Sequence, residues 1–165
     1  EIIPVGTARA LNKTAQSVQS VAVKKISADI GIKQATVRKS FSIEKANRSR
    51  LTAYLCVIKG KRLLLIEIGT KAKQTAQGVS YRGQGGQRKL LPHAFMAVMK
   101  SGHRGVFKRV GKARLPIHEL QGPSIAHVFL KPLMQERLQT HAKGRWPDDV
   151  LHELEFALRQ RGYLK

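Results

Sequence analysis

Six histidines, one cysteine, a glycine-rich stretch and a surplus of cations are the residues whose types could do chemistry here, and their spacing decides which chemistry is open. His93, His103, His118, His127, His141 and His152 form no His-Glu-x-x-His pattern and have no cysteine pair beside them. A metal ion needs three or four converging ligands, so these read as scattered surface or half-buried histidines. Cys56 stands alone, which excludes an internal disulfide and a multi-cysteine zinc site and fits a reducing cytoplasm. Its setting, Leu55-Cys56-Val57, predicts a buried, inert thiol. Gly83-Gln84-Gly85-Gly86 lacks the Gly-Lys-Ser/Thr spacing and the following helix that a phosphate-cradling loop requires. No Ser-His-Asp set stands out, and ten acids are too sparse to nominate a carboxylate pair. The sequence therefore predicts no catalytic residue, no metal and no cofactor.

What remains is charge. The 165 residues carry 31 Lys and Arg against 10 Asp and Glu, a net +21 with an isoelectric point near 10.9. Such an excess attracts polyanions, phosphate backbones above all. Lys71, Lys73, Arg82, Arg88, Lys89, Arg104, Lys108, Arg109, Lys112 and Arg114 are the candidates to face DNA or an acidic neighbour; the alternative is a solvated, solubilising face. Aromatic residues are only 5%, and no zinc-finger, homeodomain or ribonucleoprotein motif is present, so base-specific reading is not expected. A general nucleic-acid-binding protein, ribosomal or nucleoid-like, would account for the same charge.

The elements that must position these cations follow from periodicity. Ala8, Leu11, Ala15, Val18, Ala22 and Ile26 recur every three or four residues, which predicts a long amphipathic helix from about Thr7 to Gly31 with a small-residue seam. A short helix is expected over Lys33 to Phe41, with Ala35, Thr36, Val37 and Phe41 inward. The segments 42–46, 51–58 and 62–68 read as strands of a meander. Residues 69–89, rich in Gly, Gln, Lys and Arg, read as a basic loop or extended hairpin, in which Val79-Ser80-Tyr81-Arg82 could pair. A second hairpin joins 94–99 to 106–110 through a Ser101-Gly102 turn. Gly122-Pro123 reads as a turn, Ser124 as a cap, and Pro132 as a kink or restart in the helix that follows. Pro147, Asp148 and Asp149 read as the first turn of a last helix, with Val150, Leu151, Leu154, Ala157 and Leu158 on one face and Gly162 at its close. Helix, strands and helix in blocks predict an α+β fold: a long N-terminal helix, an antiparallel sheet or barrel-like body, and C-terminal helices, in a single domain over 1–165. No apolar run reaches the length of a membrane span. The start at Glu1, without a signal-peptide layout, reads as a trimmed terminus.

Several of these segments together carry a family resemblance. Pro92-His93-Ala94-Phe95, Lys100-Ser101-Gly102-His103, Val106-Phe107-Lys108-Arg109-Val110-Gly111-Lys112 and Arg114-Leu115-Pro116-Ile117 follow in an order that resembles the minor tail protein Z family of tailed bacteriophages. Upstream, Ala8 to Ala28 resembles that family's Ala-rich helix, and Leu63 to Gly69 the strand before its basic insertion. Gly122-Pro123-Ser124-Ile125 departs from the commoner pattern and is similar to related tail-completion proteins. The resemblance spans roughly residues 5 to 135. It implies a non-enzymatic virion protein at the head-proximal end of the tail, assembled in the host cytoplasm and acting in tail completion or head-to-tail joining at the neck. Its implied partners are further copies of itself in a ring, expected to be a hexamer, tail-tube or terminator and head-connector proteins, and genomic DNA in the lumen, with no membrane.

Overall fold

The computed structural model describes residues 2–58, 62–65, 72–82 and 87–163. The elements run α1 (Ile2–Ile30), α2 (Gln34–Arg38), β1 (Phe41–Glu44), β2 (Tyr54–Val57), β3 (Arg62–Leu64), β4 (Lys73–Thr75), β5 (Gly78–Arg82), β6 (Arg88–Pro92), β7 (Ala94–Val98), β8 (Arg104–Arg109), β9 (Ile117–Glu119), β10 (Gln121–Ser124), α3 (Ile125–Phe129) and α4 (Pro132–Arg159). This is the expected α+β mixture, with a long first helix and C-terminal helices. The strands divide among four small antiparallel sheets, ordered β1-β2, β10-β3, β4-β5-β6 and β7-β8-β9. The chain clusters into two compact units: residues 1–24, 38–58 and 129–165 form one, and 25–37 and 59–128 the other.

In the first unit α1 and α4 pair antiparallel. Arg9 stacks over the Phe156 ring at 5.9 Å, and along the pair Gly6 lies against Leu154, Thr14 against Asp149 and Ser17 against His141, so residue numbers rise on one helix as they fall on the other. The small residues expected along α1 allow this approach: a β-carbon at Gly6 would stand 2.7 Å from Leu154 Cδ2. Ala8, Ala10, Ala22 and Val23 are buried on α1, and Met134, Leu138 and Ala157 on α4. The pairing also contains a buried polar contact. Thr14 Oγ1 donates to Asp149 Oδ2 at 2.9 Å, and Arg145 Nε donates to Asp149 Oδ1 at 3.2 Å. Asp149 is 2% exposed. Asn12 ties the β1–β2 side to α1, donating to the Ala46 carbonyl and accepting the Ala46 N–H. Phe41 packs edge-on against Phe129, with ring centroids 5.1 Å apart.

α4 corrects one expectation. Pro147 does not start a helix; it lies inside a 28-residue helix that restarts at Pro132, and Asp148 and Asp149 are mid-helix. Proline's missing N–H leaves the Lys143 carbonyl without its usual partner, at a cost of about 3 kcal/mol in an isolated helix. Tertiary contacts through Asp149 hold the helix across that point. Leu151 is exposed at 62%, so the expected inward face is narrower than the sequence suggests. Gly162 does close the segment, with φ 75 and its N–H donating to the Arg159 carbonyl.

The second unit contains the last turns of α1, with Ile26 and Ile30 buried, and the short α2, of which Val37 alone is buried. Burying a side chain such as Ile26 contributes about 1.5–3 kcal/mol. Ala35 and Thr36 face solvent, and Phe41 begins β1 rather than ending α2, because only one turn fits between Gly31 and the hairpin. The expected meander is also corrected: β1 pairs with β2, but β3 pairs with β10 across a register irregularity. Gly122-Pro123 belongs to that strand rather than to a turn, an edge placement that a residue without an N–H tolerates.

The segment read as a basic loop over 69–89 holds strands β4 and β5 and the start of β6, with Val79 fully buried; residues 66–71 and 83–86 lie outside the described residues. Ala76 and Gln77 form the β4–β5 turn, and Gly78 just after it has φ 148, where a β-carbon would collide with the Leu91 carbonyl oxygen. The predicted second hairpin is present as β7–β8, pairing Phe95 with Phe107 and Met96 with Val106. Its turn is closed by Met99 N–H donating to the His103 carbonyl and Gly102 N–H to the Met99 carbonyl. Gln74 of β4 joins the two three-stranded sheets: its Oε1 accepts the Met96 N–H at 2.8 Å, and its Nε2 donates to the Ala94 carbonyl at 3.5 Å.

Candidate nucleic-acid interface

Nine of the ten candidate cations fall among the described residues, and all nine belong to the second unit. Lys71 lies outside the described residues. Lys73 opens β4, Arg82 ends β5 in register with Arg88, and Lys89 stands in register with Tyr81. Lys73, Arg88, Lys89 and Arg104 are exposed. Arg104 opens β8 while Lys108 and Arg109 end it, and the following bend carries Lys112 and Arg114, both exposed.

The structure brings three of them together. Lys108, Arg109 and Lys112 line one cleft of about 640 Å³, together with Gln74, His93 and Phe95 and the small residues Ala76, Gly78 and Ala94. Strand alternation accounts for part of this. Phe107 and Arg109 are two residues apart and so share a face, and Phe95 opposes Phe107 across the ladder. The Arg109 guanidinium therefore lies over the Phe95 ring at 5.5 Å, and Phe95 packs on Phe107 at 6.1 Å. Stacking over a ring face restricts a guanidinium without using its N–H donors. Among the described residues, Lys73, Arg88, Lys89, Arg104 and Arg114 do not line the cleft.

Two cleft residues escaped the sequence reading. Gln74 carries no charge signal, and its role depends on the meeting of two sheets. His93 was read as a scattered histidine, but it stands between β6 and β7 with φ 61 and its N–H donating to the Gln77 carbonyl. That left-handed conformation costs a residue bearing a β-carbon on the order of 1 kcal/mol. The adjoining Pro92-x-Ala94-Phe95 pattern marked the position without revealing its geometry.

Cys56 corrects a further expectation, being half-buried rather than buried. Partial desolvation, and then the Glu44 carboxylate that accepts from Sγ at 3.7 Å, raise its pKa above the ordinary thiol value. Glu119 of β9, in register with Phe107, contacts His103 at 2.8 Å.

The sequence model of the prophage minor tail protein Z family matches residues 1–163 of the 165-residue chain. The chain belongs to that family. A member of the minor tail protein Z family is a structural component of the phage tail, so this protein is part of a virion. Neither a curated protein nor a solved structure matches the chain. Within this family member, no group of three or more His, Cys, Asp or Glu suited to a metal ion occurs among the described residues. Among those residues no helix is long and apolar enough to cross a membrane.

Proposed function

We propose that this minor tail protein completes the tail at its head-proximal end and joins it to the head at the neck, as one subunit of a closed ring, a hexamer, around the DNA channel. It does so without catalysis, assembling in the host cytoplasm with tail-tube or terminator proteins below and head-connector proteins above. The observation that carries this reading is the family match along nearly the whole chain, joined to a net charge of +21 whose candidate cations gather in one unit. A ring threaded by DNA gains from cations facing its lumen, and a salt-sensitive, sequence-independent hold lets the genome slide past during ejection. Closing a ring requires each subunit to carry two different, complementary side surfaces.

Cryo-electron microscopy of the intact particle tests this. The expected density is a closed ring between head connector and tail tube, with residues 72–114 toward the lumen. A particle in which the chain occupies the distal tail, or in which the basic unit faces outward, overturns the reading. A particle lacking the chain leaves the general nucleic-acid-binding protein as the account of the charge.

A further inference from the structure

We infer that the cleft between the β4–β6 and β7–β9 sheets is a binding site for the phosphodiester backbone of DNA, with Lys108, Arg109 and Lys112 as its phosphate ligands. This rests on the reading that the basic unit faces the genome, and it narrows that reading from a charged face to one built site.

Three features carry it. First, three cations within five residues of chain line the cleft, and among the described residues no carboxylate lines it with them. Converging cations without a counter-charge raise one another's cost until an anion arrives, and a multiply charged ligand relieves that best. Second, Arg109 is held over Phe95, so its planar fork is oriented before any ligand binds, the arrangement suited to paired phosphate oxygens. Third, the rest of the cleft wall includes the small residues Ala76, Gly78 and Ala94, the last in register with Lys108, and the amide of Gln74 is already committed to β7. Such a wall admits a bulky chain closely while offering few free side-chain donors for reading base edges. A volume near 640 Å³ exceeds what a lone inorganic phosphate fills and accommodates a sugar-phosphate unit. A carboxylate-bearing peptide is the competing ligand, but spaced single charges use the clustered cations less completely than a phosphate chain does.

The test uses the full-length protein and fluorescein-labelled DNA duplexes of two unrelated sequences, with binding followed by anisotropy across a salt series. Lys108→Gln/Lys112→Gln removes two cleft charges. Lys24→Gln/Lys25→Gln removes the same net charge from exposed positions on α1. The expected result is that the cleft pair lowers the slope of log affinity against log salt by about 1.8, at about 0.9 per phosphate contact, while the α1 pair changes it by less than about 0.5. Lys108→Arg/Lys112→Arg should restore the slope, and both duplexes should behave alike. Equal losses from the two pairs, or no loss from either, overturn the site. So does displacement of the duplex by inorganic phosphate as effectively as by unlabelled duplex, which would mark a small-anion pocket. Displacement by poly-glutamate at matched charge would assign the cleft to an acidic protein instead. The outcomes separate from the neck reading: a protein imaged at the neck whose salt slope ignores Lys108 and Lys112 refutes the cleft alone. Cleft-dependent DNA binding by a protein absent from the particle refutes the neck alone.

Discussion

Replacing Thr14 by Val tests how α1 and α4 recognise each other. The two side chains have nearly the same shape, so packing is preserved, and what disappears is the 2.9 Å hydroxyl donation to Asp149. Asp149 is 2% exposed and, among the described residues, keeps the Arg145 guanidinium, itself half open to solvent, as its other partner. A hydrogen bond to a charged group contributes about 1.5–3 kcal/mol, so Thr14→Val should cost about 2 kcal/mol. For a chain of this size that corresponds to a fall in Tm of about 4–8 °C. Urea unfolding followed by far-ultraviolet circular dichroism gives the free energy, and a thermal melt gives the shift. Asp149→Leu alone should cost more, because it leaves the Thr14 hydroxyl and the Arg145 guanidinium without the carboxylate. The double variant should be less damaged than the sum of the two by at least about 1 kcal/mol, since neither partner is then left unsatisfied. A Thr14→Val variant that melts within about 1 °C of the parent, or strictly additive costs, would refute the reasoning.

Gly78→Ala should cost more than about 2 kcal/mol, because φ 148 and the Leu91 carbonyl both exclude a β-carbon; soluble expression with an unchanged urea midpoint would contradict this. Gln74→Ala should cost about 1–2 kcal/mol and speed hydrogen exchange at the Met96 amide, read by mass spectrometry or NMR, while leaving the amide of Val106 protected. Cys56 should react with iodoacetamide at mildly alkaline pH more slowly in the folded protein than in the denatured chain, with Glu44→Gln partly restoring the rate. The sign follows from a folded pKa raised by desolvation and then by Glu44. The folded state holds the thiol proton more tightly, so this contribution to stability is present below the unfolded pKa and is lost as pH rises through the folded one.

Where structure follows local spacing, the sequence was readable. The three-and-four recurrence from Ala8 to Ile26 marks α1, and the alternation around Ser101-Gly102 marks β7–β8, because both depend on neighbours in the chain. Reading failed where a distant partner overrides a local signal. Pro147-Asp148-Asp149 has the composition of a helix start, yet Thr14, far away in sequence, holds Asp149 in mid-helix. Likewise β3 finds its partner in β10, and nothing near Arg62 announces it. The basic cluster was visible as composition, but that Lys108, Arg109 and Lys112 line one cleft depends on how two sheets meet. Gln74 and His93 joined them through backbone geometry that leaves no mark on charge or hydropathy.

The reach of Gln74 to β7 also bears on self-association. A strand at the border of a sheet presents amides and carbonyls that can template a foreign strand, and subunits gathered at high local concentration are the most exposed to that hazard. On β7 the Met96 N–H and the Ala94 carbonyl are already taken by a side chain that mimics a peptide group. A single amide thus interrupts that border in the middle, where an invading strand would need an uninterrupted ladder.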